Sequence, residues 1–465
     1  MKNKSIIFII FLVLIVGFAT TRCKRKERKP NIILFFSDDA GYADFGFQGN
    51  SKYKTPNLDK LAAEGVKFTD GYVTASVCSP SRAGLMTGRY PQRFGHYTNL
   101  PGRPDPNVPD SVRGLPLSET TIADLMKQNG YTTGIIGKWH LGTQQHFLPY
   151  NRGFDEFFGI PGGGSQYFYP KSLKYLACNY KDITEDTLPY LTDAFGNEAV
   201  DFIERHKDEP FFLYLSFNAP HTPLQAPDSL IRLFDAGFRT GVRKKNAAMT
   251  TSLDRNIGKV LNKLDELGLT KNTLIVFTND NGGAMPYNAS LNDPLRGTKG
   301  TFLEGGIRVP FLMKWPDHIK PGMLYNYPVS TLDLLPTFVA AAGGKLPDDR
   351  FYPGVDLIKY LSGEIAGSPH ETLFWENVYD KAVRKNNWKL VITPYGKRML
   401  FDLSNDIGET TDLFQLRPDV AADLLSELGK WESKNVDPIW VVDTIWRKHS
   451  DRRYNQSIVN GFKRD

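Results

Sequence analysis

Four short apolar runs, each breaking off into a cluster of acidic, basic or amide side chains, constrain this chain more than any other feature. The run Asn31-Ile32-Ile33-Leu34-Phe35-Phe36 stops at Ser37-Asp38-Asp39, and residues 131–136 stop at Gly137-Lys138-Trp139-His140. Residues 210–217 stop at Asn218-Ala219-Pro220-His221, and residues 273–278 at Asn279-Asp280-Asn281-Gly282. Unalternating apolar runs of this length suit parallel strands covered on both faces. Helical patterns lie between them. Thr55 supplies an N-cap, Pro56 the first helical position, Leu58, Leu61 and Ala62 one apolar face, and Gly65 the end. Further helices are predicted over 119–129 and 245–267. The alternation predicts an α/β fold, a large, mixed, mostly parallel sheet sandwiched by helices, over residues 31–344. Ligands of such sheets bind beyond the C-terminal strand ends, so the four polar clusters are expected to meet in one pocket.

Asp38 and Asp39, taken alone, make a turn and a helix cap. With Asp280 and Asn281 at a second strand end they form three carboxylates and an amide oxygen that would repel one another without a cation between them. All-oxygen ligation suits Ca²⁺ or Mg²⁺. Zinc draws His and Cys at short spacing, and no His-rich short motif occurs. Cys78-Ser79-Pro80-Ser81-Arg82 is the most informative stretch. Pro80 and Ser81 predict a helix start, which places Cys78 at the positively polarised N-terminus and Arg82 about one turn on. Those surroundings are expected to lower a thiol's pKa and to draw anions.

That pentapeptide matches the C-x-P-x-R signature at which a maturation enzyme oxidises cysteine to formylglycine. Here the chain resembles the type I, formylglycine-dependent sulfatases of the alkaline-phosphatase-like superfamily. Further stretches resemble family motifs in family order: residues 31–39, 137–142, Pro220-His221-Thr222-Pro223, 278–282 and 297–310. The resemblance implies that Asp38, Asp39, Asp280 and Asn281 bind Ca²⁺, with the modified Cys78 completing the shell. It implies that Arg82 and Lys138 hold the formylglycine hydrate, that His140 acts on it as a base, and that His221 and Lys299 grip the sulfate and assist the leaving oxygen. One hydroxyl of the hydrate would attack sulfur, and the second would let sulfate depart without water attacking sulfur again. The implied partners are a sulfated carbohydrate substrate and a formylglycine-generating maturation enzyme. A phosphodiesterase or phosphonate hydrolase on the same fold is the alternative. A catalytically silent sulfoglycan-binding protein is a third reading, which the intact Cys78, Arg82, Lys138, His140, His221 and Lys299 oppose.

The chain has 465 residues and a formal charge of +6. Eight Lys/Arg and one Glu precede residue 31, so the remaining 49 basic and 50 acidic side chains nearly cancel. A nucleic-acid partner is therefore not expected. Lys2 and Lys4 ahead of the apolar run 6–19 read as a signal peptide over 1–22, which predicts an exported chain, periplasmic or held at the cell envelope. Ala19-Thr20-Thr21-Arg22-Cys23 resembles the end of a bacterial lipoprotein signal, although Arg22 stands where a small residue is usual. A lipid anchor at Cys23 and plain cleavage nearby both stay open. Cys78 and Cys178 would then be the remaining cysteines; one pair could form, but Cys178 reads best as a small buried hydrophobe.

Residues 345–465 change character. Short strands around 374–376, 382–384, 388–392 and 399–403 predict a small antiparallel sheet, with a helix over 418–434 against it, making an α+β subdomain. The Arg- and Lys-rich tail from 446 reads as a solvated wrap or frayed end. His96 is a candidate pocket residue, Ser165 in the glycine-rich loop a candidate sulfate contact, and Arg103, Asp105 and Arg113 candidate substrate contacts. His146, His206, His318, His370 and His449 read as structural or exposed.

Overall fold

The computed structural model describes residues 28–101, 108–168, 177–178, 190–238, 240–285, 287–440 and 444–459. The leader with Cys23, and Arg103 and Asp105, lie outside the described residues, as does the side chain of Cys178.

The strands of the larger body are β1 (Asn31–Ser37), β2 (Val66–Phe68), β3 (Gly71–Tyr72), β4 (Thr132–Lys138), β5 (Glu156–Ile160) and β6 (Ala177–Cys178). They continue with β7 (Phe211–Ser216), β8 (Thr273–Asn279), β9 (Phe311–Lys314), β10 (Met323–Tyr325) and β11 (Val329–Ser330). Among the described residues, nine of them form one sheet in the order β10-β2-β9-β8-β1-β7-β4-β5-β6, while β3 and β11 pair separately. The central strands β8, β1, β7, β4 and β5 are parallel. Antiparallel β9 and β6 flank them. The mostly parallel sheet expected from the apolar runs is thus present.

Helices cover both faces, which is why the strands carry no polar alternation. Ile33, Phe35, Leu213, Leu215, Ile275 and Phe277 point to one side. There they meet α1 (Pro56–Ala63), and the helices 191–205 and 241–266. Ile32, Leu34, Phe36, Phe212, Tyr214 and Val276 point to the other. They meet α2 (Cys78–Thr87), α3 (Ile122–Gln128) and the helix over 334–341. In chain order the remaining long helices are α4 (Leu191–Arg205), α5 (Gly241–Glu266) and α6 (Leu334–Ala341). The order of strands brings the ends of β1, β8, β7 and β4 side by side, and with them the four polar clusters.

Toward the C-terminus, β12 (Thr372–Glu376), β13 (Lys381–Lys385), β14 (Trp388–Ile392) and β15 (Arg398–Asp402) form an antiparallel sheet. Helix α7 (Pro418–Glu432) covers one face through Leu424, Leu428 and Trp431. The other face lays Trp375, Val391 and Phe401 on Tyr72, Ile307 and Val309 of the larger body. The tail departs from expectation: residues Thr444–Val459 form a helix, α8, with Tyr454 buried against that second face. Among the described residues, no helix is long and apolar enough to cross a membrane.

Candidate active site

The site begins where β1 and β8 end together. Ser37 and Asn279 are register partners, and Ser37 Oγ donates to Asn279 Oδ1 at 2.9 Å. The next residues on each strand, Asp38 and Asp280, therefore lie at one edge. Asp39 turns away with a φ of 63°, a left-handed conformation that aspartate tolerates. Its backbone N–H donates to Asp280 Oδ1 at 3.1 Å, while Asn288 Nδ2 and Ser290 Oγ donate to its carbonyl.

Helix α2 brings the third element. It starts two residues earlier than Pro80 suggested, with Val77 as N-cap and Cys78 in the first position. Cys78 Sγ lies 3.6 Å from Asp38 Oδ1 and 4.0 Å from Asp39 Oδ1. Ligand atoms of Asp38, Asp39, Cys78 and Asp280 all fall within 4.8 Å of one another. Asn281 gives the clearest sign of what this cluster would hold. Its Nδ2 donates to Asp39 Oδ1 and to the Gly282 carbonyl, and its buried Oδ1 meets no hydrogen-bond donor. A buried acceptor left without a donor is costly unless a cation meets it. The residues present fit a hard divalent cation.

Three cationic side chains enter the same volume. Arg82 is fully buried and donates through Nη2 and Nε to Asp280 Oδ2 at 3.0 and 3.3 Å, and through Nη1 to Ser216 Oγ at 2.6 Å. Lys138 Nζ donates to Asp38 Oδ2 at 2.5 Å. Lys299 Nζ donates to Asp39 Oδ2 at 2.8 Å and to Cys78 Sγ at 3.1 Å. Three carboxylates thus face three cations. The repulsion expected among the carboxylates is already answered by the chain's own side chains, so the case for a cation rests on the Asn281 oxygen and the converging ligand atoms.

The electrostatics also correct the thiol. Burial pushes the Cys78 pKa up, Asp280 adds to the rise, and Lys138 and Lys299 do not reverse it. The local helix terminus is outweighed by desolvation and by carboxylates remote in sequence. Burial and Asp38 push Asp280 up to about 6. Burial would raise Asp39 as well, but Lys299, His221 and Lys138 hold it far below the usual carboxylate range.

The two histidines close the site from β4 and β7. Burial, reinforced by Lys138 and Arg82, holds His140 well below the ordinary value, so its imidazole is neutral. Its Nδ1 is buried without a protein partner, and Gly163 faces its Nε2, where a Cβ would come within 2.5 Å. That contact supplies a role for the glycine-rich loop that the sequence left unexplained. His221 Nδ1 donates to the Thr222 carbonyl at 2.6 Å, leaving Nε2, 3.6 Å from Asp39 Oδ2, turned to the site. Burial lowers its pKa to about 4. Ser165 Oγ is buried with no protein partner, on the same loop that passes His221.

Every residue named from the sequence for metal or catalysis is gathered here. His96 is buried, with Nε2 2.7 Å from Ser79 Oγ, and burial lowers its pKa to about 3. Ser79 in turn donates to the His140 carbonyl, so His96 braces the site from behind. Neither Ser79 nor Ser216 stood out in the sequence, because single serines carry no spacing signal. Arg113 pairs with Asp110 instead of standing free.

The sulfatase family profile matches residues 30–344. The chain belongs to the sulfatase family. It is a sulfuric ester hydrolase, with arylsulfatase A of Homo sapiens 36% identical over 459 residues, covering 87% of this chain and 86% of that protein. N-acetylgalactosamine-6-sulfatase of Mus musculus is 36% identical over 359 residues, 73% of this chain and 68% of that protein. Among solved structures, Ps i-CgsB in complex with k-i-k-neocarrahexaose is 38% identical with a TM-score of 0.83, covering 93% of this chain and all (100%) of that one. Two conformational features of this sulfatase lie at the matched motifs: left-handed backbone at Asp39 and at His140, with φ of 63° and 59°.

Proposed function

We propose that this sulfatase removes sulfate from a sulfated carbohydrate, using formylglycine made from Cys78 and a calcium ion held by Asp38, Asp39, Asp280, Asn281 and residue 78. The observation that carries the reading is the convergence of Asp38, Asp39, Cys78 and Asp280 ligand atoms within 4.8 Å, beside the unpartnered Asn281 oxygen. When present, the aldehyde hydrate supplies the nucleophile and the divalent ion the positive charge that favours its ionised form.

The chain's own side chains do the rest. Arg82, Lys138 and Lys299 already balance the three carboxylates, so a divalent ion leaves the site positive, as an anionic ester requires. Lys299 and the Nε2 face of His221 are placed to hold the sulfate and meet the leaving oxygen. His140, kept neutral by burial and by its cationic neighbours, would accept a proton from a hydroxyl of formylglycine at residue 78. Cys78 is 1% exposed, so a maturation enzyme would reach it before the chain closes.

The carbohydrate is supported by the relatives: Ps i-CgsB was solved with a neocarrahexaose, and N-acetylgalactosamine-6-sulfatase is named for a sugar sulfate. Export is supported by the leader over 1–22, which would place the enzyme in the periplasm or, through Cys23, on the envelope.

The test has two parts. The mass of the peptide around residue 78, from protein made with a maturation enzyme, should show aldehyde in place of thiol. That protein should then release sulfate from at least one member of a panel of sulfated oligosaccharides, and Cys78→Ala should release none while melting within a few degrees of wild type. Equal turnover by Cys78→Ala, or faster cleavage of an aryl phosphodiester than of any sulfate ester, would overturn the proposal.

A further inference from the structure

Helix α8 has no apolar stripe to explain its place in the fold. Over Thr444–Val459 it carries Arg447, Lys448, Arg452 and Arg453 against a single acidic residue, Asp451. Arg447 Nε donates to the Pro394 carbonyl at 2.9 Å, and further polar contacts reach the segment that bears Lys299. Tyr454, 1% exposed, accepts the Phe302 N–H at 2.7 Å and donates to Asp380 Oδ2 at 2.7 Å. Ser450 Oγ donates to the Gly300 carbonyl at 3.4 Å. The Arg453 guanidinium lies over Gly300, whose φ is +83° and where a Cβ would sit 2.0 Å from Nη1.

From the opposite side, the same segment is tied to the site. Gly300 N donates to the Ser76 carbonyl at 2.8 Å, two residues before Cys78, and Lys299 N donates to the Gly283 carbonyl at 3.1 Å. Residues 299–302 are thus held between the start of α2 and the face of α8. Asp380, which receives the Tyr454 hydroxyl, lies in the turn between β12 and β13. A chain of contacts therefore runs from the antiparallel sheet through Tyr454 to the backbone N–H of Phe302, three residues after Lys299.

We propose that α8 is a latch, in which Tyr454 and Arg453 are positioning residues that set Lys299 against residue 78 and Asp39. The inference rests on the reading of Lys299 as a sulfate contact. A lysine has four rotatable side-chain bonds and reaches its targets in one geometry only if its backbone is fixed. A shift of about 1 Å in a substrate-holding group can cost about 100-fold in rate. Tyr454 fixes that backbone without touching substrate.

The test uses the matured full-length chain and compares wild type, Tyr454→Phe, Arg453→Ala, Lys299→Ala and the Lys299→Ala/Tyr454→Phe double variant. Aryl sulfate turnover and the Kd of inorganic sulfate are the readouts. Tyr454→Phe keeps the ring and removes the acceptor of the Phe302 N–H. It should lower kcat/KM about tenfold or more and weaken inorganic sulfate, with Arg453→Ala shifting both in the same direction. In the Lys299→Ala background, Tyr454→Phe should leave the sulfate Kd unchanged, because there is no longer a lysine to place. Hydrogen exchange at the peptide over 299–302 should rise in Tyr454→Phe while that of the 78–87 helix stays put.

Wild-type turnover and sulfate affinity in both Tyr454→Phe and Arg453→Ala would overturn the latch and leave the reading of Lys299 standing. An equal loss of sulfate affinity from Tyr454→Phe with and without Lys299 would also overturn it. If Tyr454→Phe does not fold, Arg453→Ala decides alone. If Lys299→Ala binds sulfate and turns over as wild type does, the reading of Lys299 fails and the latch fails with it.

Discussion

Asn281 carries much of the proposal that this site holds a cation. Its amide is anchored by two hydrogen bonds from Nδ2, to Asp39 Oδ1 and the Gly282 carbonyl, while its Oδ1 is buried without a donor. A carboxylate there would add a fourth negative charge to a cluster that Arg82, Lys138 and Lys299 balance at three. The neutral amide keeps one more oxygen without that charge. Asn281→Ala should therefore weaken calcium about tenfold or more, measured by calorimetric titration. Removing calcium with a chelator should abolish sulfate release in wild type and be reversed by adding calcium back. An Asn281→Ala variant with wild-type calcium affinity would exclude this residue from the metal shell.

At the scale of elements, α3 shows how a local signal can be complete. Thr121 Oγ1 accepts the Asp124 N–H at 3.1 Å, and Asp124 Oδ2 accepts the Thr121 N–H at 2.9 Å, a reciprocal cap over Ile122–Gln128. Thr121→Ala should cost about 1 kcal/mol, seen as a lower Tm with sulfate release unchanged, since α3 lies away from the strand ends. Central strands were legible for a related reason: burial on both faces writes a continuous apolar run, and its end coincides with the site. Boundaries were less so, and α3 begins at Ile122 where the sequence suggested 119. The site's membership was readable because motifs name it. Its charge balance was not, since Lys138 with Asp38 and Arg82 with Asp280 are pairs 100 and 198 residues apart. Helix α8 escaped for a like reason, because its partners, Phe302 and Asp380, are remote and its face is polar.

Over the whole molecule, the antiparallel sheet is joined to the larger body by buried charge as well as by apolar contact. Lys389 Nζ on β14 meets Glu304 Oε1 at 2.7 Å and Glu409 Oε1 at 3.0 Å, and all three are fully buried. Arg384 on β13 and Arg308 share Asp70, at 2.8 and 2.9 Å. Lys389→Met would leave buried Glu409 without its cation and Glu304 with Arg308 as its remaining ion-pair partner, and should cost about 3–5 kcal/mol, read as a denaturant midpoint shift. A second junction is sensitive to pH. His370, on the approach to β12, places Nε2 2.8 and 2.9 Å from the two oxygens of Asp333, which also accepts the N–H of Ser330 at the end of β11. Burial opposes charge on His370, but the Asp333 carboxylate outweighs it and holds the pKa above the ordinary value of 6.5. A histidine with a raised folded-state pKa contributes stability that is full below the unfolded value and is lost as pH rises through the folded one. Wild type should therefore lose denaturant stability as pH climbs from about 6.5 through that higher value. His370→Gln should flatten this part of the profile and be less stable than wild type on its acid side. A wild-type profile that rises over the same interval, or one that His370→Gln leaves unchanged, would remove the pair from the account of how the two sheets are held together.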